Sequence, residues 1–402
     1  MKIETTEKVP IKMWLEDIED GALDQAKNLA NLPFVLSHIA LMPDCHQGYG
    51  MPIGGVMATK DVIIPNAVGV DIGCGMCAVK TSLTEIDTET LKKIIGEIRK
   101  VIPVGFNKHK EEQDIDLMPE NELCLDGDFT SFPIIEREYD KALYSLGTLG
   151  GGNHFIEIQK GSDGHIWIMI HSGSRNLGFT VANHYNKLAI ELNKKWRSSV
   201  PEKHELAFLP EDSEEGQAYI SEMNYCVEFA LANRKLMMER VCKILYKTFE
   251  KDITEGFQLP GITFDEIINI AHNYAKKENH FGKNVWVHRK GATLADINTI
   301  GIIPGSQGTK SYIVKGKGNI QSFKSCSHGA GRRMGRKQAE RELDLEAEVK
   351  KLDDQGILHA IRGVKQLDEA PGAYKDIDVV MKNQEDLVEV LVELTPLAVV
   401  KG

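Results

Sequence analysis

Strand-like and helix-like stretches are interleaved along this chain without a regular βαβ rhythm, which points to an α+β fold of one large domain with mixed sheets rather than a doubly wound sheet. Two more observations support this. Helical patterns gather in one mostly helical segment at about 179–280, and glycine turns between short apolar runs lie on either side of it. In order, residues 52–80 alternate glycine with β-branched and apolar residues and read as short strands joined by tight turns. Residues 86–101 have helical periodicity, and 107–131 are polar and irregular, as a loop would be. Strands are expected at 155–159 and 166–171, and helices at 179–197, 214–250 and 264–278. Residues 285–325 return to strands and glycine turns, followed by helices at 331–352 and 376–391. No low-complexity linker, internal repeat or clear domain boundary interrupts the chain.

With 42% hydrophobic and 27% charged residues, the composition is that of a water-soluble globular protein. No run approaches 18 apolar residues, and the N-terminus has no apolar signal core, so a cytoplasmic location is expected. Seven cysteines, an odd number scattered along the chain, do not suggest a disulfide framework. The net charge of −11 argues against nonspecific coating of nucleic acid but leaves room for a local basic channel. Lys310, Lys315, Lys317, Lys324, Arg332, Arg333, Arg336 and Lys337 form such a concentration.

The polar chemistry sits in the glycine turns. Ser327-His328-Gly329-Ala330-Gly331-Arg332 sets a histidine among small residues next to arginines, a pattern suited to a large anionic ligand. There His328 could act as acid, metal ligand or nucleophile, or simply be solvated. Asp71 and Cys74 lie three apart in Val68-Gly69-Val70-Asp71-Ile72-Gly73-Cys74, so a carboxylate and a thiolate can converge. His154, His171 and His272 stand in similar polar settings. Each alone reads more readily as a hydrogen-bonded structural histidine. Together with Asp71 and Cys74 they form a mixed N/O/S donor set suited to Zn, Mn, Fe or Co. A thiolate shared by two cations is chemically feasible. The Cys74–Cys77 pair lacks the second pair that a structural zinc site needs. A lysine-nucleophile ligase motif is absent, and Gly305 to Ser311 has the wrong spacing for a phosphate-binding Walker loop.

Taken in order, Met42-Pro43-Asp44-Cys45-His46-Gln47-Gly48, Val68 to Gly75, Leu146 to Glu157, His171 to Arg175, His272-Asn273-Tyr274, Arg289-Lys290-Gly291-Ala292, Ile303-Pro304-Gly305-Ser306, Ser325 to Arg332 and Tyr374-Lys375-Asp376 resemble the motifs of the RtcB-type RNA ligases. The resemblance runs from Met13-Trp14 to Lys401-Gly402, so residues 1–402 would form a single catalytic domain of that type. It implies joining of RNA 3′-phosphate or 2′,3′-cyclic phosphate ends to 5′-hydroxyl ends with GTP and two Mn2+ ions, in RNA repair or tRNA splicing. Cys74, His171 and His272 would hold one ion, and Asp71, Cys74 and His154 the other. His328 would become guanylylated. Asn153, Glu157, Ser306, Ser311, Ala330, Gly331, Tyr374 and Lys401 would cradle the nucleotide, while Arg175 and Arg289 would face phosphates. His288, beside the Arg289 block, is not expected to be a ligand. Cys45 stands where valine is frequent and Asn176 where glycine is frequent, which leaves the biological role more open than the reaction. The implied partners are the RNA substrate and, in some relatives, an archease-type activator; a monomer is the default expectation. The rival readings are a metal-dependent phosphodiesterase or end-processing hydrolase, which has no covalent guanylate, and a non-catalytic RNA-binding protein.

Overall fold

The computed structural model describes residues 1–119, 133–250 and 262–402. Two sheets dominate these residues and confirm the α+β class. One runs in the order Lys2–Glu4, Ile11–Met13, Val35–Tyr49, Met51–Thr59, Lys283–Lys290 and Asn273–His280, antiparallel except where Ile11–Met13 meets Val35–Tyr49. The other runs Ile268–Ala271, Gly75–Lys80, Ile166–Ser172, Phe155–Gly161, Val388–Lys401, Ser311–Gly316 and Ile300–Ile303.

Local signals explain the helices. Thr88–Val101 starts where the Asp87 side chain accepts from Thr90 N at 2.9 Å, and it buries Leu91, Ile94 and Ile98. Arg175–Lys195 packs against Glu214–Glu250. Glu214–Glu250 buries Tyr219, Met223, Phe229, Met237, Met238 and Leu245 on several faces, so it is a core helix rather than a surface one.

Three expectations need correction. Residues 264–278 are not a helix: Ile268–Ala271 pairs with Gly75–Ala78 and Asn273–His280 with Lys283–Lys290. Unsatisfied sheet edges next to this segment outweigh its ambiguous periodicity. The segment at about 179–280 is therefore helical only in its earlier part. Helix 331–352 is two pieces, Arg336–Glu342 and Leu345–Asp353, with Asp344 capping the second through Ala347 N at 2.7 Å. In 376–391 the helix is Ile377–Lys382, and Val388–Lys401 is a strand that joins Phe155–Gly161 to Ser311–Gly316. The run Val388-Glu389-Val390-Leu391-Val392-Glu393 is β-branched, as a strand prefers. Residues 107–119 of the expected loop are irregular apart from one 3-10 turn; the rest lies outside the described residues.

Candidate active site

Four backbone segments meet at one point. Cys74 opens the strand Gly75–Lys80, His154 precedes Phe155–Gly161, His171 lies near the end of Ile166–Ser172, and His272 separates two strands. The antiparallel register sets Gly75 opposite Ser172 and Phe155 opposite His171, which brings the first three side chains to one end of the sheet. His272 N donates to Cys74 O at 2.8 Å, tying the fourth segment in.

The helix Glu214–Glu250 holds these turns from behind. Asn233 donates to Thr148 O, Ser172 Oγ and Gly173 O and accepts from Gly147 N. Buried Arg234 donates to Gly73 O and Ser172 O, each at 2.9 Å. Gly173 is required by close approach, because a Cβ there would meet Asp71 Oδ1 at 2.3 Å.

Cys74 Sγ lies 3.5 Å from His154 Nε2 and 3.3 Å from His171 Nε2, and His171 Nε2 lies 3.4 Å from His272 Nε2. Asp71 Oδ2 is 3.2 Å from His154 Nε2. His154 Nδ1 contacts Leu149 O at 3.0 Å and His171 Nδ1 contacts Asn153 O at 3.1 Å. Carbonyls only accept, so both Nδ1 atoms carry the proton and both Nε2 atoms present lone pairs to the cluster. Arg175 Nη1 is 3.3 Å from the same His154 Nδ1, but the shorter carbonyl contact sets the tautomer.

Burial and the neighbouring imidazoles hold His171 and His272 well below the ordinary histidine range, so both are neutral, the form that ligates metals. Burial and the Asp71 carboxylate push the Cys74 thiol well above its ordinary range. Two imidazole lone pairs aimed at a buried sulfur suit a cation, which would bind the thiolate and lower the sulfur's affinity for its proton. The donor atoms of Cys74, His154 and His171 all lie within 4.8 Å of one another, as a metal requires, and Asp71 and His272 adjoin them.

His328 stands beside this cluster, its ring centroid 4.8 Å from that of His272. Asp44 Oδ2 accepts from His328 Nδ1 at 2.6 Å and from His328 N at 3.1 Å. Burial raises the Asp44 carboxyl, but His328, His46 and Lys375 more than offset it and hold the group below the usual range. The ring rests over Gly291 (φ 61°), where a Cβ would come within 3.1 Å of it and 2.4 Å of Ile53. Asn273 links the two centres, donating to Asp71 O and accepting from Gly291 N.

His328 also lines a cleft of about 950 Å³ shared with Asn153, Glu157, Ser306, Ala330, Gly331, Tyr374 and Lys401. Ser311 stands behind the wall, where its Oγ accepts from Gly305 N at 3.1 Å. Burial pushes the Glu157 carboxyl up to about 8, against the pull of Gln159 and Lys401. Glu369, buried but surrounded by Lys401 and Arg336, is held at about 2. It also accepts from Tyr374 OH at 2.6 Å and from Arg332 at 3.2 Å.

Arg175 reaches the site, next to His154 and Thr148. Arg289 does not: it is fully buried, and its guanidinium donates to Ser325 Oγ, Tyr274 OH, both Glu278 oxygens and Phe323 O, leaving nothing for a phosphate. His288 accepts from Ile64 N at 3.0 Å and takes no part. Asp44, Glu369, Asn233 and Arg234 are the site residues that the sequence reading left without a role.

This arrangement combines a metal-competent N/O/S cluster, an oriented imidazole and a basic-rimmed cleft. The family model described as tRNA-splicing ligase RtcB matches residues 25–129 and 130–402. The RNA-splicing ligase RtcB of Escherichia coli K12 is 39% identical over 410 residues, covering 99% of this chain and 98% of the relative. The tRNA-splicing ligases RtcB of Thermococcus kodakarensis and Nanoarchaeum equitans are 31% and 33% identical over 473 and 469 residues, covering 100% and 98% of this chain and 96% and 95% of theirs. Matches of this extent, over a site of this composition, place the chain in the RtcB family of RNA ligases.

Proposed function

We propose that this RNA ligase joins ends bearing a 3′-phosphate or 2′,3′-cyclic phosphate to ends bearing a 5′-hydroxyl, using GTP and two manganese ions through a guanylate on His328. The observation that carries the reading is the clamp on His328. Asp44 accepts a hydrogen bond from Nδ1–H at 2.6 Å, which keeps the proton on Nδ1 and leaves the Nε2 lone pair free, on a ring that lies between the Cys/His cluster and the cleft. A hydrolase would use the same imidazole as a general base for water, so the covalent guanylate is what separates the two readings.

Cys74, His171 and His272 would hold one ion, and Asp71, Cys74 and His154 the other. Bound there, the ions supply charge neutralisation and Lewis acidity at phosphate oxygens. His328 Nε2 attacks the α-phosphorus of GTP; the P–N bond forms as the bond to pyrophosphate breaks. An oxygen of the RNA 3′-phosphate then attacks the same phosphorus, the P–N bond breaks, and His328 regains its lone pair. Finally the 5′-hydroxyl attacks the activated 3′-phosphorus, losing its proton, and GMP departs. A cyclic phosphate is first opened by water.

In its ionised form Glu157 suits a guanine edge, whose N1–H and N2–H donors would supply the hydrogen bonds that offset its burial and which adenine's edge does not offer as a pair. Asn153, Ser306, Ala330, Gly331, Tyr374 and Lys401 line the same cleft, and Arg175 would contact phosphate near His154. The same reading gives a single catalytic domain over residues 1–402, acting as a cytoplasmic monomer in tRNA splicing or RNA repair and open to an archease-type activator.

Incubation with GTP labelled at the α-phosphate and Mn2+ is expected to give an acid-labile adduct on the wild type and none on His328→Ala. No label on the wild type, or label retained by the variant, overturns the assignment.

A further inference from the structure

We propose that Phe106 is a stacking platform for a base of the RNA substrate, set at the rim of the catalytic cleft near cations that carry the adjoining phosphates. The proposal rests on the RNA-ligase reading. Phe106 is 104% exposed, the most exposed of the large hydrophobic residues described. Single exposed apolar side chains are ordinary on protein surfaces. Three observations set this one apart.

First, its loop is held rigidly. Pro103 O accepts from Leu149 N at 2.9 Å, Gly105 N donates to Gly150 O at 2.8 Å, and Asn107 N donates to Val104 O at 3.2 Å. His109 N donates to Tyr144 O at 3.0 Å. The backbone is fixed and the ring is left in water, so a partner that covers it meets a preorganised face.

Second, the loop abuts the turn that carries metal-site residues. The Gly150 that Gly105 grips follows Leu149, whose carbonyl fixes His154. A Cβ on Gly151 would lie 3.5 Å from Gly105 Cα.

Third, cations with no ion pair among the described residues lie on its loop and in the hollows beside it. Lys108 lines a small hollow with Arg175 and Asn176. Arg99 and Lys365 line another of about 860 Å³ with Gly152, Lys401 and Gly402, and this hollow shares Gln307, Glu369 and Lys401 with the main cleft. Among the described residues Arg99, Lys108, Lys110 and Lys365 have no ion pair. The carboxylates of those hollows are engaged: Glu138 with Arg137 and Lys141, Asp368 with Arg336, and Glu369 with Arg336 and Lys401.

On a chain of net charge −11, an exposed ring on the same loop as Lys108 and Lys110, near a hollow lined by Arg99 and Lys365 and near a phosphoryl-transfer site, matches a single-stranded nucleic acid, with a π-face for a base and positive charge for its backbone. A protein partner would need a wider apolar patch than one whose neighbours are Gly105, Asn107 and Lys108.

The test uses the full-length enzyme with Mn2+ and GTP. Phe106→Ala is expected to form the guanylate adduct at the wild-type rate, and to raise the KM of one RNA strand by about 5- to 100-fold, the range for loss of one base stack. Varying the 3′-phosphate strand and the 5′-hydroxyl strand separately identifies which end stacks. Phe106→Trp should keep a near-wild-type KM and change its emission when RNA is added. Lys108→Ala should lower the slope of log affinity against log salt by about 0.7. Unchanged KM for both strands in Phe106→Ala, with joining intact, overturns the platform. Slowed adduct formation in that variant also overturns it, because the residue would then act through the nucleotide site. Absence of any adduct on the wild type instead overturns the ligase reading itself.

Discussion

His272 and Glu278 lie on neighbouring parts of one chain segment, and each enters a buried polar cluster, but the two clusters have opposite characters. Around His272, ring nitrogens and a sulfur crowd together: His171 Nε2 lies 3.4 Å from its own Nε2, and Cys74 Sγ 3.3 Å from His171 Nε2. His272 Nδ1 has no hydrogen-bond partner among the described residues. Around Glu278, every valence is matched: Arg289 spends its donors on the carboxylate, two side-chain hydroxyls and a carbonyl, and His280 Nε2 contacts the same carboxylate at 2.9 Å. Both clusters are buried and rich in ionisable groups. Neither property marks a site; unmatched lone pairs converging on one point do. The first cluster offers a set of donor atoms to a cation, whereas the second is satisfied by its own partners.

The largest effect should come from removing the atom that both ion sites share. Cys74→Ala is expected to cut the metal content of purified protein below a tenth of wild type and to slow adduct formation by on the order of 10^4-fold, the loss of several kcal/mol of charge stabilisation. Elemental analysis and the labelled-GTP assay read the two separately. If both survive, Cys74 is an ordinary buried thiol and the contrast between the clusters collapses.

Next is the residue that orients the nucleophile without ligating metal. Asp44→Asn keeps the size of the side chain but can offer an amide N–H to His328 Nδ1, favouring the wrong tautomer. Adduct formation is expected to fall about 10^4-fold with metal content unchanged, the cost of losing such an orienter in a Ser-His-Asp triad. Loss of metal in this variant would show that Asp44 supports the cluster and not the imidazole.

Much of the site could be read from sequence because its ligands lie in glycine-rich turns, where a polar residue without periodic neighbours is conspicuous. Asp71, Cys74, His154, His171 and His272 all stood out in this way, and the structure brings them together. Asp44 did not, because it sits inside the long strand Val35–Tyr49, where burial and chemistry leave the same mark. Asn233 and Arg234 looked like ordinary helix polarity; only the packing shows that they brace the turns around Gly73, Gly147 and Gly173. Glu369 lies in a 3-10 segment with no pattern to read. Arg289 misled for the converse reason. It adjoins the Lys290-Gly291 turn under His328, but strand alternation sends successive side chains to opposite faces, and Arg289 faces Glu278. The fold was clearest where periodicity was strong, as over residues 86–101, and fell short at 268–280, where pairing with distant strands decides the conformation.

The complete cluster yields the smallest effect, on stability alone. Arg289→Met strands the buried Glu278 carboxylate and should cost about 3 kcal/mol of unfolding free energy, with metal content and adduct chemistry retained. Its pH dependence has a definite sign. Burial alone would raise the Glu278 carboxyl, but Arg289 and His280 override it and hold it at about 2 rather than the ordinary 4.5. A depressed carboxylate contributes its stability in full above the ordinary value and loses it as pH falls from about 4.5 toward 2, because the unfolded chain takes up the proton first. The contribution is bounded by about 3 kcal/mol, from 1.36 kcal/mol per unit. Urea unfolding of the wild type and of a Glu278→Met, Arg289→Met double variant should therefore give curves of stability against pH that run parallel from pH 6 to 8, with the wild type falling more steeply below about pH 4.5. Curves that stay parallel down to pH 2 would show that the pair titrates alike in folded and unfolded chains, and that its matched valences contribute nothing to holding the two strands together.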